Sequence, residues 1–330
     1  MRVLVVGAGV VGLTCAVRLA EAGHDTAVLA RDLPPETTSA VSAALWYPYR
    51  AAPREAVTRW ARTAYAEFCR LARDCPDSGV RVVAGVELLP GEPGSPAPPL
   101  PWWRSAVPSL TEVTEVTDPR PGHAHGWRLD LPVADTSAYL GWLAGRLDAA
   151  GGTLTRAWLP DLPATGVVVN CTGLAARSLA HDPDLHPVRG QVVLVERPRG
   201  VDEWLLDQSD PARPFYVVPR ERDVVIGGTA DVGEWDTRPD PRTARDLLER
   251  ACAVVPALRG APVTGHRVGL RPARREVRLE SVAHADGGPG GVVHCYGHGG
   301  AGVTLSWGCA ADVLDEVQAL LPQSSAAGVR

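Results

Sequence analysis

The chain opens on a short β-branched run, Arg2–Val6, in which apolar residues follow one another with little alternation. Such a run predicts a strand buried on both faces, as in a parallel sheet. Gly7-Ala8-Gly9-Val10-Val11-Gly12 comes next. Leu13, Cys15, Ala16, Val17, Leu19 and Ala20 then continue as a helix until Gly23 stops it. Thr26–Leu29 is a second strand, ending in Ala30-Arg31-Asp32. Strand, glycine turn, helix and strand in this order form the first unit of a doubly wound α/β sheet.

Thr37–Tyr49 is mixed in character. Pro53–Asp74 reads as an amphipathic helix, with Val57, Trp60, Ala61, Ala64, Phe68 and Leu71 at three- and four-residue spacing. Val80–Leu89 reads as a strand, and the proline-rich stretch 90–103 as a loop. A helix starts near Asp135 and Thr136, carries Tyr139, Leu140, Leu143 and Leu147 on one face, and closes at Gly151-Gly152. Val167–Val169 is a central strand running into Asn170-Cys171-Thr172-Gly173. Gln191–Glu196, Phe215–Pro219 and Val224–Gly228 alternate as antiparallel strands do, and Pro241–Val254 is a helix. The chain finishes on a strand at Val292–Tyr296, a glycine turn at Gly297–Gly302 and a long helix at Val303–Leu321. The pattern predicts an α/β protein. A Rossmann-like nucleotide domain is assembled from residues 1–50, 135–190 and 262–330, and a mostly antiparallel β-sheet substrate domain is inserted as residues 51–134 and 191–261.

Composition narrows the chemistry. The chain has 330 residues and is 45% hydrophobic, enough for about two globular domains. A net charge of -5 creates no field for nucleic acid or an anionic membrane. There is no lysine, so all 33 basic residues are arginine. That excludes a Schiff-base lysine, a P-loop lysine or a catalytic amine, and it fits the bias of a GC-rich bacterial genome. The seven cysteines form no C-x-x-C pair, so neither a zinc site nor a redox motif is indicated, and they read as buried thiols in a reducing cytoplasm. No signal peptide or 18-residue apolar stretch is apparent, and the expected location is cytoplasmic.

Four segments could carry function. In the first glycine turn, Gly7 allows the tight turn, Gly9 lets backbone N–H groups approach a pyrophosphate, and Gly12 lets helix and strand pack closely. Arg31-Asp32 leaves the dinucleotide open, because an acid suits the ribose of NAD or FAD and an arginine the 2′-phosphate of NADP. Tyr296-Gly297-His298-Gly299-Gly300-Ala301-Gly302 places four glycines before a helix, whose positive end stabilises an anion or an electron-rich ring. His298 within it reads as a hydrogen-bonded spacer sooner than as a base. In Gly269-Leu270-Arg271-Pro272-Ala273-Arg274-Arg275, Arg271, flanked by Leu270 and Pro272, reads as inward-pointing or as surface charge, while Arg274 and Arg275 read as surface charge. Tyr216, within Phe215–Pro219, serves as core or as pocket wall.

Together these segments resemble the FAD-dependent D-amino acid oxidases, within the glutathione-reductase-like flavin amine oxidases. The matching series runs in order through Val5–Gly12, Ala43-Ala44-Leu45-Trp46-Tyr47-Pro48-Tyr49, Val169–Gly173, Arg189-Gly190-Gln191, Phe215–Pro219, Gly227-Gly228-Thr229, Val268–Arg274, Tyr296–Gly302 and Trp307-Gly308. The resemblance spans nearly the whole chain and selects FAD over NADP.

The resemblance implies an enzyme that oxidatively deaminates D-amino acids. Hydride passes from the substrate Cα to flavin N5, the imino acid hydrolyses to a 2-oxo acid and ammonia, and O2 reoxidises the flavin to give hydrogen peroxide. Arg271 matches the arginine that holds the substrate carboxylate, Tyr216 the tyrosine that assists it, and Gly300 the glycine whose carbonyl receives the amine. Gly7, Gly9, Val10, Val11, Gly12, Arg31, Asp32, Thr37, Thr38, Ser39, Ala43, Ala44, Leu45, Ala157, Thr172, Gly299, Gly300, Ala301, Gly302, Val303 and Thr304 match positions around FAD. The FAD is held noncovalently, with Cys309 free and no metal. Tyr47, Leu206 and Ala230 belong to the substrate pocket.

There are departures. The segment between Asp207 and Tyr216 lacks the family's second active-site tyrosine, Ala230 stands where some members have a tyrosine, and Ala301 replaces an aromatic. All three imply a more open pocket. D-aspartate oxidases carry an extra arginine where this chain has Leu206, which points to neutral or apolar D-amino acids. The partners implied are the D-amino acid and O2, with a homodimer left open. The alternatives are a D-aspartate oxidase, a glycine- or sarcosine-type flavin amine oxidase, and, remotely, a flavin-binding sensor without turnover.

Overall fold

The computed structural model describes residues 2–89, 99–107, 114–115, 125–208, 210, 213–284 and 287–320. The elements run β1 (Arg2–Val6), α1 (Val10–Glu21), β2 (Asp25–Ala30), α2 (Thr38–Val41), α3 (Arg54–Asp74), β3 (Val80–Leu89), β4 (Thr114–Glu115), β5 (His125–Ala134), α4 (Thr136–Ala149), β6 (Thr153–Arg156) and β7 (Gly166–Asn170). They continue with α5 (Ala176–Leu179), β8 (His186–Glu196), β9 (Trp204–Asp207), β10 (Phe215–Pro219), β11 (Asp223–Gly227), β12 (Asp231–Val232), α6 (Pro241–Val254), β13 (Val263–Ala283), β14 (Gly290–His298) and α7 (Gly302–Leu320).

The apolar runs at β1 and β7 sit side by side in a parallel block ordered β14-β7-β1-β2-β6. Val3, Val5, Val28, Val167 and Val169 are buried there, as strands covered on both faces require. α1 and α7 pack on this block and on one another, and α3 packs on α7. The other block, β4-β5-β3-β9-β10-β11-β8-β13, is antiparallel apart from the β3–β9 pair. Alternation gives its strands two faces. Phe215 and Val217 of β10, Leu205 of β9 and Val86 and Leu88 of β3 pack under α6 with Leu247 and Ala251. Tyr216, Val218 and Leu206 face the opposite way, into a cavity between the blocks. This α/β arrangement is the expected fold class.

The sequence reading assigns no element to β5, β6 or β9, and two further differences bear on the site. β13, a 21-residue strand, lies in a stretch to which the hydrophobic pattern assigns no element. Its residues are mostly exposed or half-exposed and rich in arginine, so no apolar face marks it. It pairs with β8 as far as Ala273 and thereafter mainly with β14. Pro272 sits at that changeover, where a missing N–H costs the ladder least. β14 reaches His298, so the glycine turn is shorter than expected and begins at Gly299. The 90–103 loop falls outside the described residues up to position 98. No described helix is long and apolar enough to cross a membrane.

Candidate active site

A cavity of about 990 Å3 opens where the parallel strands end and the antiparallel block begins, the crevice that doubly wound sheets use for ligands. Gly7 forms its floor with φ +111, and a β-carbon there would stand 2.4 Å from the Cys171 carbonyl oxygen. Gly9, Val10 and Val11 continue the floor at the N-terminus of α1, with the Val10 N–H donating to Ser39 Oγ at 3.0 Å. Arg31, Asp32, Thr37, Thr38, Ser39, Ala43, Ala44, Leu45, Ala157, Thr172, Gly299, Gly300, Gly302 and Val303 also line the cavity.

Four of the expected residues do not line it. Gly12 is buried behind Gly7, where a β-carbon would meet the Gly7 carbonyl oxygen at 2.0 Å, so its smallness serves helix packing. Ala301 is fully buried in the core. Thr304 is buried too, and its hydroxyl bridges the Tyr47 backbone, accepting from the N–H and donating to the carbonyl at 3.0 Å each. Ala230 packs with Val188 and Ala273, away from the cavity wall.

The dinucleotide half of the cavity fits FAD by its donors. Thr37 Oγ1 is buried and has no hydrogen-bond partner among the described residues, although Thr37 lines the cavity. A buried hydroxyl without a partner is costly, and a polar cofactor group would relieve it. Arg31 pairs with Asp32 at 2.6 Å at the end of β2, and α7 begins at Gly302 with its positive end beside the cavity.

The other half is built on the antiparallel block. Arg271 stands on β13 with Nη1 donating to the Thr229 carbonyl at 2.9 Å. Gly190, on the neighbouring β8, makes room for it, since a β-carbon there would lie 2.4 Å from the guanidinium. Tyr216 lines the same cavity as Arg271, near enough for the guanidinium charge to act on its phenol. Burial pushes its phenol up from the ordinary value, and the neighbouring Arg271 charge pulls against that, with the net direction upward. Tyr216 therefore stays a protonated donor beside a fixed cation. Gly300 lies at the exposed edge of the turn against the Tyr49 ring, which a β-carbon would meet at 2.5 Å. Leu206 and Tyr47 complete this end.

Three residues here were not among the expected site residues. Tyr49 lines the cavity, and its buried hydroxyl has no partner among the described residues. A second tyrosine therefore reaches the site from the segment before α3, not from the lid position where the sequence lacks one. Gln208 also lines the cavity, and Glu87 is buried behind it. Tyr49 lies inside the matching Ala43–Tyr49 segment, two residues past Tyr47, and that spacing was the available clue. His298 is buried beside the cavity, and burial lowers its imidazole to about 4 and keeps it neutral. Arg274 differs from the surface reading, because it pairs with buried Asp182 at 2.9 Å.

Residues 2–316 match the family model described as FAD dependent oxidoreductase (DAO). A D-amino-acid oxidase of Rubrobacter xylanophilus is 50% identical over 94% of this chain and 93% of its own length. A D-aspartate oxidase of Homo sapiens is 36% identical over 94% and 92% respectively. The solved glycine oxidase of Bacillus cereus shares the fold, with TM-score 0.76 at 20% identity over 97% of this chain and 96% of that one. On the family match and these relatives, the chain belongs to the DAO family of FAD-dependent oxidoreductases.

Proposed function

We propose that this enzyme oxidatively deaminates D-amino acids to 2-oxo acids and ammonia, and that the Arg271–Tyr216 pair is its carboxylate anchor. The observation that carries this reading is the placement of Arg271, held by the Thr229 carbonyl, and Tyr216 in one cavity with the glycine turns, where the guanidinium charge acts on the phenol. A guanidinium fixed by one carbonyl keeps a planar fork suited to an α-carboxylate, and the adjacent phenol adds a neutral donor. The Gly300 carbonyl takes the substrate amine, which leaves Cα–H turned towards the cofactor half. Orientation is the protein's contribution, and no side chain need move a proton. His298, neutral and buried, fits that economy.

FAD is the cofactor, and when bound it accepts the Cα hydride and passes the electrons to O2, which leaves as hydrogen peroxide. Gly7, Gly9, Val10, Val11, Arg31, Asp32, Thr37 and Ser39 would hold its dinucleotide end, and Leu45, Thr172, Gly299, Gly302 and Val303 the ring end, noncovalently. The nucleotide part is residues 1–50, 135–190 and 262–330, and the substrate part is 51–134 and 191–261. All seven cysteines are unpaired, which suits a reducing cytoplasm.

Leu206, with no cation at its position, favours neutral or apolar D-amino acids over D-aspartate. The test is a rate panel on D- and L-enantiomers with peroxide, ammonia and 2-oxo acid measured together. Equimolar products from D-Met, D-Val and D-Phe, and none from their L-forms, support the reading. Faster turnover of D-Asp or D-Glu would favour a D-aspartate oxidase instead.

A further inference from the structure

The wall of the substrate end hides a carboxylate that neither the carboxylate anchor nor the cofactor uses. Glu87 on β3 stands beside Leu206 in the β3–β9 register, and Leu206 stands beside Tyr216 in the β9–β10 register. Neighbouring strands are about 4.8 Å apart, so Glu87 lies roughly 10 Å along this row from Tyr216. Val86 and Leu88, on either side of it, pack under α6, so Glu87 faces the cavity side of the sheet. Only 5% of it is exposed. Its Oε1 accepts from the Tyr47 hydroxyl at 2.7 Å and from Gln208 Nε2 at 3.3 Å, and its Oε2 is buried with no partner among the described residues. Tyr47 and Gln208 both line the cavity and stand between Glu87 and any side chain that enters.

A phenol has one proton to give. Tyr47 gives it to Glu87, so none is left for a substrate carboxylate. Such a carboxylate would meet an oxygen that can only accept, with a negative charge behind it. An amide or ammonium group would instead meet acceptors.

We propose that Glu87 sets the side-chain preference of the enzyme by making the far wall a hydrogen-bond acceptor, so that D-amino acids ending in an amide or ammonium group are taken over those ending in a carboxylate. The inference deepens the proposed function and rests on Arg271 and Tyr216 as the α-carboxylate site, since that anchor sends the side chain along the row towards Leu206 and Tyr47. Glu87 is a positioning residue that acts through Tyr47 and Gln208. Among the described residues, the groups that face it are Tyr47, whose phenol is pushed well up by burial and by Glu87, and Gln208. Trp103 is the further polar neighbour of Tyr47. Burial raises the Glu87 carboxyl to about 7. The wall is therefore anionic above that pH and neutral below it.

The experiment compares kcat/KM of the holoenzyme for D-Ala, D-Gln and D-Glu from pH 6 to 8.5, in wild type and Glu87→Gln. D-Ala is too short to reach the wall and reports the basal reaction. Substrate α-amine ionisation affects D-Gln and D-Glu alike, so it cancels in their ratio. The expected result is a D-Gln to D-Glu ratio that climbs at least fivefold through pH 7 in wild type. In Glu87→Gln the ratio is flat and at least tenfold lower at pH 8.5, while D-Ala changes less than threefold. A wild-type ratio independent of pH, or equal losses for all three substrates in the variant, overturns the inference and leaves the oxidase reading intact. No turnover of any D-amino acid by the wild type would overturn both.

Discussion

Gly190 lies directly beneath the guanidinium of Arg271, so close that a single added β-carbon would stand 2.4 Å from it. The two residues come from neighbouring antiparallel strands, β8 and β13, on which Gly190 pairs with Gly269 and Arg271 with Val188. The position of the proposed anchor thus depends on a residue that has no side chain.

Gly190→Ala should displace Arg271 without removing its charge. Misplacement of a binding group by about 1 Å costs about a hundredfold in efficiency. Steady-state kinetics on D-Ala should show that loss, with FAD content unchanged. An unaffected kcat/KM would mean that the guanidinium has no fixed position to lose.

Arg271→Ala removes the proposed anchor itself. Losing a charge-assisted carboxylate clamp costs roughly 3–5 kcal/mol of transition-state binding, which is about 150-fold to 5,000-fold in kcat/KM. Arg274→Ala is the control, since that side chain is held by Asp182. If Arg274→Ala were the variant that lost activity, the wrong arginine would have been chosen.

The parallel half of the fold was legible because its strands are continuous apolar runs bounded by glycines, with Val3–Val6 and Val167–Val169 the clearest. The proposed anchor residues rest on the matching motifs, whereas local composition alone could not separate Arg271 from the other arginines. What the sequence hid depends on partners far along the chain. The strand β13 has no apolar face, because it exchanges one neighbour for another halfway along. Glu87 reads as one polar residue in a β-strand, and only the fold places Tyr47 and Gln208 over it. Thr304 and Ala230 followed their motifs in sequence but not in space, since one ties down the Tyr47 backbone and the other fills a small cluster.

Thr37→Val keeps the shape of a buried hydroxyl that has no partner of its own. If FAD supplies that partner, its loss removes one hydrogen bond, worth about 1 kcal/mol, and weakens FAD binding about fivefold. Fluorescence titration of the apoprotein with FAD measures this directly. Equal affinities would place the cofactor away from Thr37.

Glu87 also makes stability depend on pH. Its folded pKa, about 7, lies above the ordinary 4.5. The folded protein therefore favours the neutral acid. That stabilisation is complete below about pH 4.5 and is lost as pH rises through 7, at a total of about 3 kcal/mol. Glu87→Gln carries no such loss, so its unfolding free energy relative to wild type should rise between pH 5 and pH 8. A difference constant with pH would place the Glu87 carboxyl in the ordinary range.

The most direct test is an anaerobic titration of the purified holoenzyme with a D-amino acid, followed by the flavin absorption band. The expected result is a band that bleaches with D-Met, stays unchanged with L-Met, and returns on admission of air with one hydrogen peroxide per flavin. A band that ignores every D-amino acid but bleaches with glycine or sarcosine would contradict the assignment.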